Sequence, residues 1–204
     1  MNTTNVEEEK TKLKTGYTTG SCATAASKAA LLSIINQKKI ENVDILLPKR
    51  SYIQIPIDSC EFESNKAKCI VIKNGGDDPD VTHGAEIVVE LSFTEKINGI
   101  EIDGGEGVGI VTKPGLGLEI NKPAINPVPK KMITENLREA GKEILLEKGI
   151  RVIISVPKGK ELGPKTDNPR LGIVNGISIL GTSGIVIPFS TAAYAASIRQ
   201  NLDV

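Results

Sequence analysis

Glu86-Ile87-Val88-Val89-Glu90-Leu91-Ser92-Phe93 is a strong apolar run, and its reading decides the fold. It is short, rich in β-branched residues and free of Gly and Pro, so it reads as a buried strand. Upstream, Ala67 to Lys73 carries Cys69, Ile70, Val71 and Ile72. Further back, Tyr52 to Ile57 and Val43 to Leu47 are extended runs, the latter closed by Pro48. Downstream, Ile97 to Ile102 and Gly109 to Thr112 are shorter candidates. Strands in series with no helix between them predict a mixed, mostly antiparallel sheet.

Two helices flank this block. Ser21 to Ile35 is rich in Ala, the best helix former, and follows the cap-type residues Thr18 and Thr19. Its Cys22, Ala26, Ala29, Ala30 and Ser33 form a face of small residues that lets another backbone come close. Asn126-Pro127 reads as a cap followed by Pro at the first helical position. Ile133, Leu137, Ala140 and Ile144 then recur at helical spacing, which predicts a helix from Asn126 to Lys148 with a stop at Gly149. A strand over Ile150 to Val156 follows. A hairpin is expected from Ile173 to Leu180 and Ile185 to Ile187, turning at Thr182-Ser183-Gly184. The fold expected is α+β, with the helices packed on the sheet. The organisation expected is a flexible leader over 1–13, one α+β domain over 14–189, and a helix over 190–204.

Lys+Arg and Asp+Glu each number 25, so no basic excess favours nucleic acid. The apolar stretch Ile177 to Phe189 is interrupted and too short to span a bilayer, so no membrane partner is expected. The polar N-terminus lacks an apolar signal region, which favours a cytoplasmic protein. Cys22, Cys60 and Cys69 form no C-x-x-C and, with the single His83, no zinc pattern. They read as reduced thiols, and no metal ligand set is assigned.

Several segments could carry chemistry. Thr15-Gly16-Tyr17-Thr18-Thr19-Gly20-Ser21-Cys22 precedes a helix, where free amides and hydroxyls attract carboxylate or phosphate. An ordinary capped helix start has the same composition. Gly76-Asp77-Asp78-Pro79-Asp80-Val81-Thr82-His83-Gly84 clusters acids that a cation, a Lys or Arg, helix N-termini or water must compensate. A solvated turn fits it too, and His83 could serve as acid or base. Asp103 to Gly109 and Thr112-Lys113-Pro114-Gly115-Leu116-Gly117 are glycine-dense but precede strand-like residues, so they are no dinucleotide fingerprint. Lys158, Lys160, Lys165 and Arg170, with Lys113, Lys130 and Lys131, are either a solvated set or the rim of a polyanion site. Spacing alone stops at an α+β protein with anion-friendly glycine loops.

The ordered set of motifs goes further. Leu13 to Ala23, Gly76 to Gly84, Gly107 to Leu116, Pro123-Ala124-Ile125-Asn126-Pro127-Val128-Pro129, Asn168 to Val174 and Gly176 to Thr182 together resemble the cobalt-precorrin-5B C1-methyltransferase family, CbiD. The resemblance implies methyl transfer from S-adenosylmethionine to C1 of a cobalt-containing, tetrapyrrole-derived ring fringed with acetates and propionates. It makes Gly16, Tyr17, Thr18, Thr19, Gly20, Ser21, Asp77, Asp78, Asp80, Thr82, His83, Gly107, Thr112, Lys113, Gly115 and Asn126 candidate substrate-binding residues, and assigns no catalytic residue. Family members continue past the point matching Val204 into an α/β domain expected to hold S-adenosylmethionine. This chain is therefore expected to be the N-terminal part, with the final helix leading toward that second domain. A homo-oligomer is left open. The alternatives are a tetrapyrrole-binding module without catalysis, and a metal-dependent phosphoryl-transfer enzyme using Asp77, Asp78 and Asp80.

Overall fold

The computed structural model describes residues 13–191, with 195, 198 and 199. The leader expected before Leu13 and most of the helix expected from Ser190 onward lie outside the described residues. In chain order the elements are β1 (Gly16–Tyr17), α1 (Thr19–Asn36), β2 (Asn42–Leu46), β3 (Tyr52–Pro56), β4 (Ser59–Phe62), β5 (Lys66–Ile72) and β6 (Glu86–Thr94). There follow β7 (Ile100–Gly104), β8 (Ile110–Val111), α2 (Pro127–Ala140), β9 (Gly149–Ser155), α3 (Gly159–Leu162), β10 (Ile173–Val174) and β11 (Ile185–Val186).

The expected strands Ala67 to Lys73 and Glu86 to Phe93 pair antiparallel as β5 and β6 in a five-stranded sheet of order β4-β5-β6-β9-β7. Within this sheet, among the described residues, the edge pair β7–β9 alone is parallel. The fold is α+β with a mostly antiparallel sheet. Alternation along β5 buries Ala67, Cys69 and Val71 and exposes Lys66, Lys68 and Ile72, as a strand packed on one face requires. Ile150, Val152 and Ile154 on β9 join Ile87, Val89 and Leu91 on β6 in one apolar cluster.

α1 is the centre of the molecule. Cys22, Ala25, Ala26, Ala29 and Ala30 have no exposed surface, and neither do Ser21 and Ser27. The helix touches β4, β5 and β6 of the sheet, and also α2 and the β2–β3 hairpin. A helix enclosed on all sides needs small side chains around its circumference, which explains its composition. Ser27 and Ser33 are satisfied within the helix: Ser27 Oγ donates to the Ala23 carbonyl at 2.7 Å and Ser33 Oγ to the Ala30 carbonyl at 2.8 Å.

Three expectations are corrected. The second helix ends at Ala140 rather than Lys148, because Gly141 closes it and a separate 3₁₀ turn over Ile144–Leu146 follows. Gly149 opens β9 instead of stopping a helix. α2 packs on α1 and on β2 of the two-stranded β2–β3 sheet. The expected C-terminal hairpin does not form: β10 pairs with β8, and β11 pairs with β1. Long-range partners take these short strands, and the Thr182-Ser183-Gly184 bend connects different sheets.

Candidate functional site

The first two motifs expected to bind substrate are brought together, but they hold each other. The Tyr17 amide donates to the Asn74 carbonyl at 2.7 Å and the Thr18 amide to Gly184 at 3.2 Å. The Gly20 amide donates to the Leu180 carbonyl at 2.9 Å. The Ser21 amide donates to Thr18 Oγ1 at 3.1 Å, so Thr18 is the helix cap. Ser21 Oγ donates to the Gly184 carbonyl at 2.6 Å. Thr19 Oγ1 donates to the Ser178 carbonyl at 3.1 Å and accepts the Leu180 amide at 2.9 Å. These amides are not free for an anion, and Thr18, Thr19 and Ser21 are buried. The start of α1 thus forms a joint between the first motif and the chain around Gly176 to Gly184. A Cβ on Gly16 would fall 2.2 Å from the Gly75 carbonyl carbon, so the first and acidic motifs interlock by backbone contact.

The acidic motif is satisfied from inside the chain. Asp77 accepts the Lys14 amide at 2.7 Å, and its own amide donates to the Lys14 carbonyl at 3.0 Å. Asp78 accepts the Phe189 amide at 3.1 Å. Asp80 forms an ion pair with Lys73, whose side chain is 2% exposed. Asp80 Oδ1 also accepts the Thr82 amide at 2.7 Å and the Thr82 hydroxyl at 2.6 Å. Burial raises the Asp80 pKa, but the Lys73 ammonium and the Thr82 donors outweigh it and hold the carboxyl below its usual range. His83 Nδ1 accepts the Gly75 amide at 3.1 Å. With the carboxylates so engaged, the phosphoryl-transfer alternative loses the ligand set it needed.

Glycines in the third segment are also used for packing. A Cβ on Gly107 would fall 1.8 Å from the Val156 carbonyl oxygen, and one on Gly176 would fall 2.3 Å from the Gly107 carbonyl oxygen. Backbone occupies the space that a nucleotide or S-adenosylmethionine cradle would need, so this loop does not fit that cofactor. Thr112 donates through both its amide and its hydroxyl to the Gly172 carbonyl, at 2.7 Å each. Lys113 is exposed beside Gly172, and Gly115 stands in the loop leading to Leu116 and Leu118. Those leucines pack on a small satellite core of Val111, Ala124, Leu171 and Ile173.

That satellite core positions an open cleft of about 450 Å³. Glu101, Ile102 and Asp103 of β7 and Arg151 of β9 form one wall. Gly117, Leu118, Glu119, Lys122 and Pro123 form another, and Ile125, Pro127 and Lys130 close it at the start of α2. Arg151 alternates with the buried Ile150 and Val152, which turns it to the solvent face beside its register partner Glu101. Glu101 has its own cation, Lys96, at 3.6 Å. Lys122, Lys130 and Arg151 form no ion pair among the described residues. Of the expected site residues, Asn126 comes nearest in sequence, between Ile125 and Pro127; its side chain makes no cap bond. The sequence reading missed Lys122 and Arg151. The available signal was an arginine at the outward position of an otherwise apolar strand.

Fold and cleft define an α+β protein wrapped around one buried helix, with an open surface recess that sets three cations, Lys122, Lys130 and Arg151, among three acids, Glu101, Asp103 and Glu119. Comparison with known sequences makes this specific. The CbiD family profile matches residues 6–188, and the chain belongs to that family. It is 54% identical over 197 residues to the cobalt-precorrin-5B C(1)-methyltransferase of Geobacillus kaustophilus, covering 97% of this chain and 53% of that protein. The protein of the same name from Priestia megaterium is 51% identical over 199 residues, covering 98% and 54%. The chain thus spans about half the length of these relatives. The crystal structure of the cobalamin biosynthesis protein (cbiD) from Archaeoglobus fulgidus matches with a TM-score of 0.64 and 33% identity, covering 92% of this chain and 59% of that one.

Proposed function

We propose that this chain holds the substrate in C1 methylation of cobalt-precorrin-5B, a step of cobalamin biosynthesis. The reading rests on its 54% identity to a relative of that name over nearly all of its residues. The cleft gives it a physical form. A ring fringed with carboxylates needs cationic donors, and Lys122, Lys130 and Arg151 supply them beside apolar Ile102, Ile125 and Pro127, while Asp103, Glu119 and the Lys96-paired Glu101 limit where on the rim a carboxylate can sit. Arg151 suits bidentate capture of one carboxylate, while the lysines act as adaptable point charges. Gly115 and Lys113 sit on the loop that would extend this rim.

S-adenosylmethionine is the methyl donor in this reading. We place its site in the span of the longer relatives that this chain does not match, since the glycine loop over 103–109 is filled by protein backbone. The contribution of this chain to rate is then orientation. Fixing the ring by its peripheral carboxylates holds one carbon toward the donor, and such positioning accounts for several kcal/mol in well-aligned group transfers.

The test is a titration of the chain with a cobalt corrinoid bearing free peripheral carboxylates, followed by its visible absorbance. A counterpart with those carboxylates amidated is titrated alongside. Saturable binding of the acid form that weakens with added salt is expected, with little binding of the amide form. Equal binding of both forms would overturn the assignment of the cationic rim.

A further inference from the structure

The buried thiols of β4 and β5 form a site that methyl transfer does not use. Cys60 and Cys69 are direct cross-strand partners in the antiparallel pair. Their sulfurs stand 3.0 Å apart as free thiols, with Cys69 Sγ donating to Cys60 Sγ. Both lie on the core face, Cys60 6% exposed and Cys69 fully buried. A disulfide needs the sulfurs about 2.05 Å apart, so closure asks for roughly 1 Å of side-chain movement and leaves the register intact. β4 is an edge strand, so Cys60 is the sulfur that an oxidant reaches first.

We propose that Cys60 and Cys69 are a dithiol site for hydroperoxides, closing to an intramolecular disulfide that fastens the β4 edge to the sheet. The Cys60 thiolate attacks the peroxide, its sulfur becoming sulfenic acid as the O–O bond breaks and hydroxide leaves. Cys69 sulfur then attacks Cys60 sulfur, the S–O bond breaks and water departs. In sum, two thiols and one hydrogen peroxide give one disulfide and two waters, with both electrons passing to the peroxide. The assignment of roles has a chemical basis. The hydrogen bond from Cys69 is the largest influence lowering the Cys60 thiol, with the Ile40 backbone, Ser33 and Lys39 assisting against burial, and it comes down to about 6. The same bond and burial push Cys69 up. Cys22, with burial pushing it up to about 12, has no thiol neighbour and is not a participant.

The chain separates the two sulfurs on digestion, because Lys66 and Lys68 lie between them. The test treats the purified chain with hydrogen peroxide, blocks free thiols, and maps tryptic peptides 51–66 and 69–73. Expected are a mass lower by about 2 Da, a link between those peptides that dithiothreitol reverses, and an unlinked Cys22. In Cys69→Ser, dimedone should trap a sulfenic acid at Cys60; in Cys60→Ser it should trap none at Cys69. Separate peptides carrying sulfinic or unmodified cysteine, or a link joining two chains, would overturn the proposal. The peptide map of the unsubstituted chain decides this without relying on how either variant folds.

Discussion

Asp80 shows how much of this molecule depends on a single side chain. Its carboxylate neutralises Lys73, which is almost wholly buried, and fixes the turn through Thr82. Removing that charge leaves an ammonium without compensation inside the protein. Asp80→Asn should therefore destabilise the chain by about 3–5 kcal/mol, read from urea denaturation at neutral pH. A loss under about 1 kcal/mol would show that water reaches Lys73. The pH dependence follows from the depressed Asp80 value. Its stabilisation is complete above the ordinary unfolded carboxylate value of about 4 and is lost as pH falls through the lower folded value. The acid arm of the stability curve should flatten in Asp80→Asn. At this scale the sequence announced clustered acids but not their partners. Lys73 closes an apolar strand, and nothing in the pattern says that its ammonium turns inward.

Elements are held by a few precise joints. Asn136 on α2 is fully buried and treats β2 as a strand would: its Oδ1 accepts the Leu46 amide at 2.9 Å and its Nδ2 donates to the Leu46 carbonyl at 3.0 Å. Asn136→Ala should cost about 1–3 kcal/mol by leaving these groups unpaired, with a lowered urea midpoint as the readout. α1 depends on small volume. Ala26 has no exposed surface, so Ala26→Leu should destabilise by about 1–3 kcal/mol through overpacking; a neutral result would reveal slack between α1 and its neighbours. The two-residue alternation made β5 readable in advance, and the alanine content made α1 readable. β4 could not be bounded in advance because Ser59, Glu61 and Phe62 leave only Cys60 buried, too little pattern to delimit a strand. The length of α2 was overread because Ile144 keeps helical spacing past Gly141, although that glycine ends the helix. β8, β10 and β11 have two residues each, and partners far away in the chain decide their pairing.

Over the whole molecule, the motifs divide into those that assemble the fold and those near the recess. The chain around Gly16 engages the segments of Asp77 and Gly184 beside the start of α1. The recess lies elsewhere, where β7, β9, the loop over 117–123 and the start of α2 meet. Its cations come from three separate parts of the chain, which local motif reading does not join. The central claim is that this rim, rather than the helix start, grips the carboxylates of the ring. The most direct measurement compares corrinoid affinity of the parent chain, the double variant Lys122→Ala/Arg151→Ala, and a control, Lys165→Ala, outside the recess. The account predicts an affinity lowered on the order of 10- to 100-fold in the double variant, from about 1 kcal/mol per exposed charge contact, with unchanged melting and an unaffected control. Parental affinity in the double variant would contradict it.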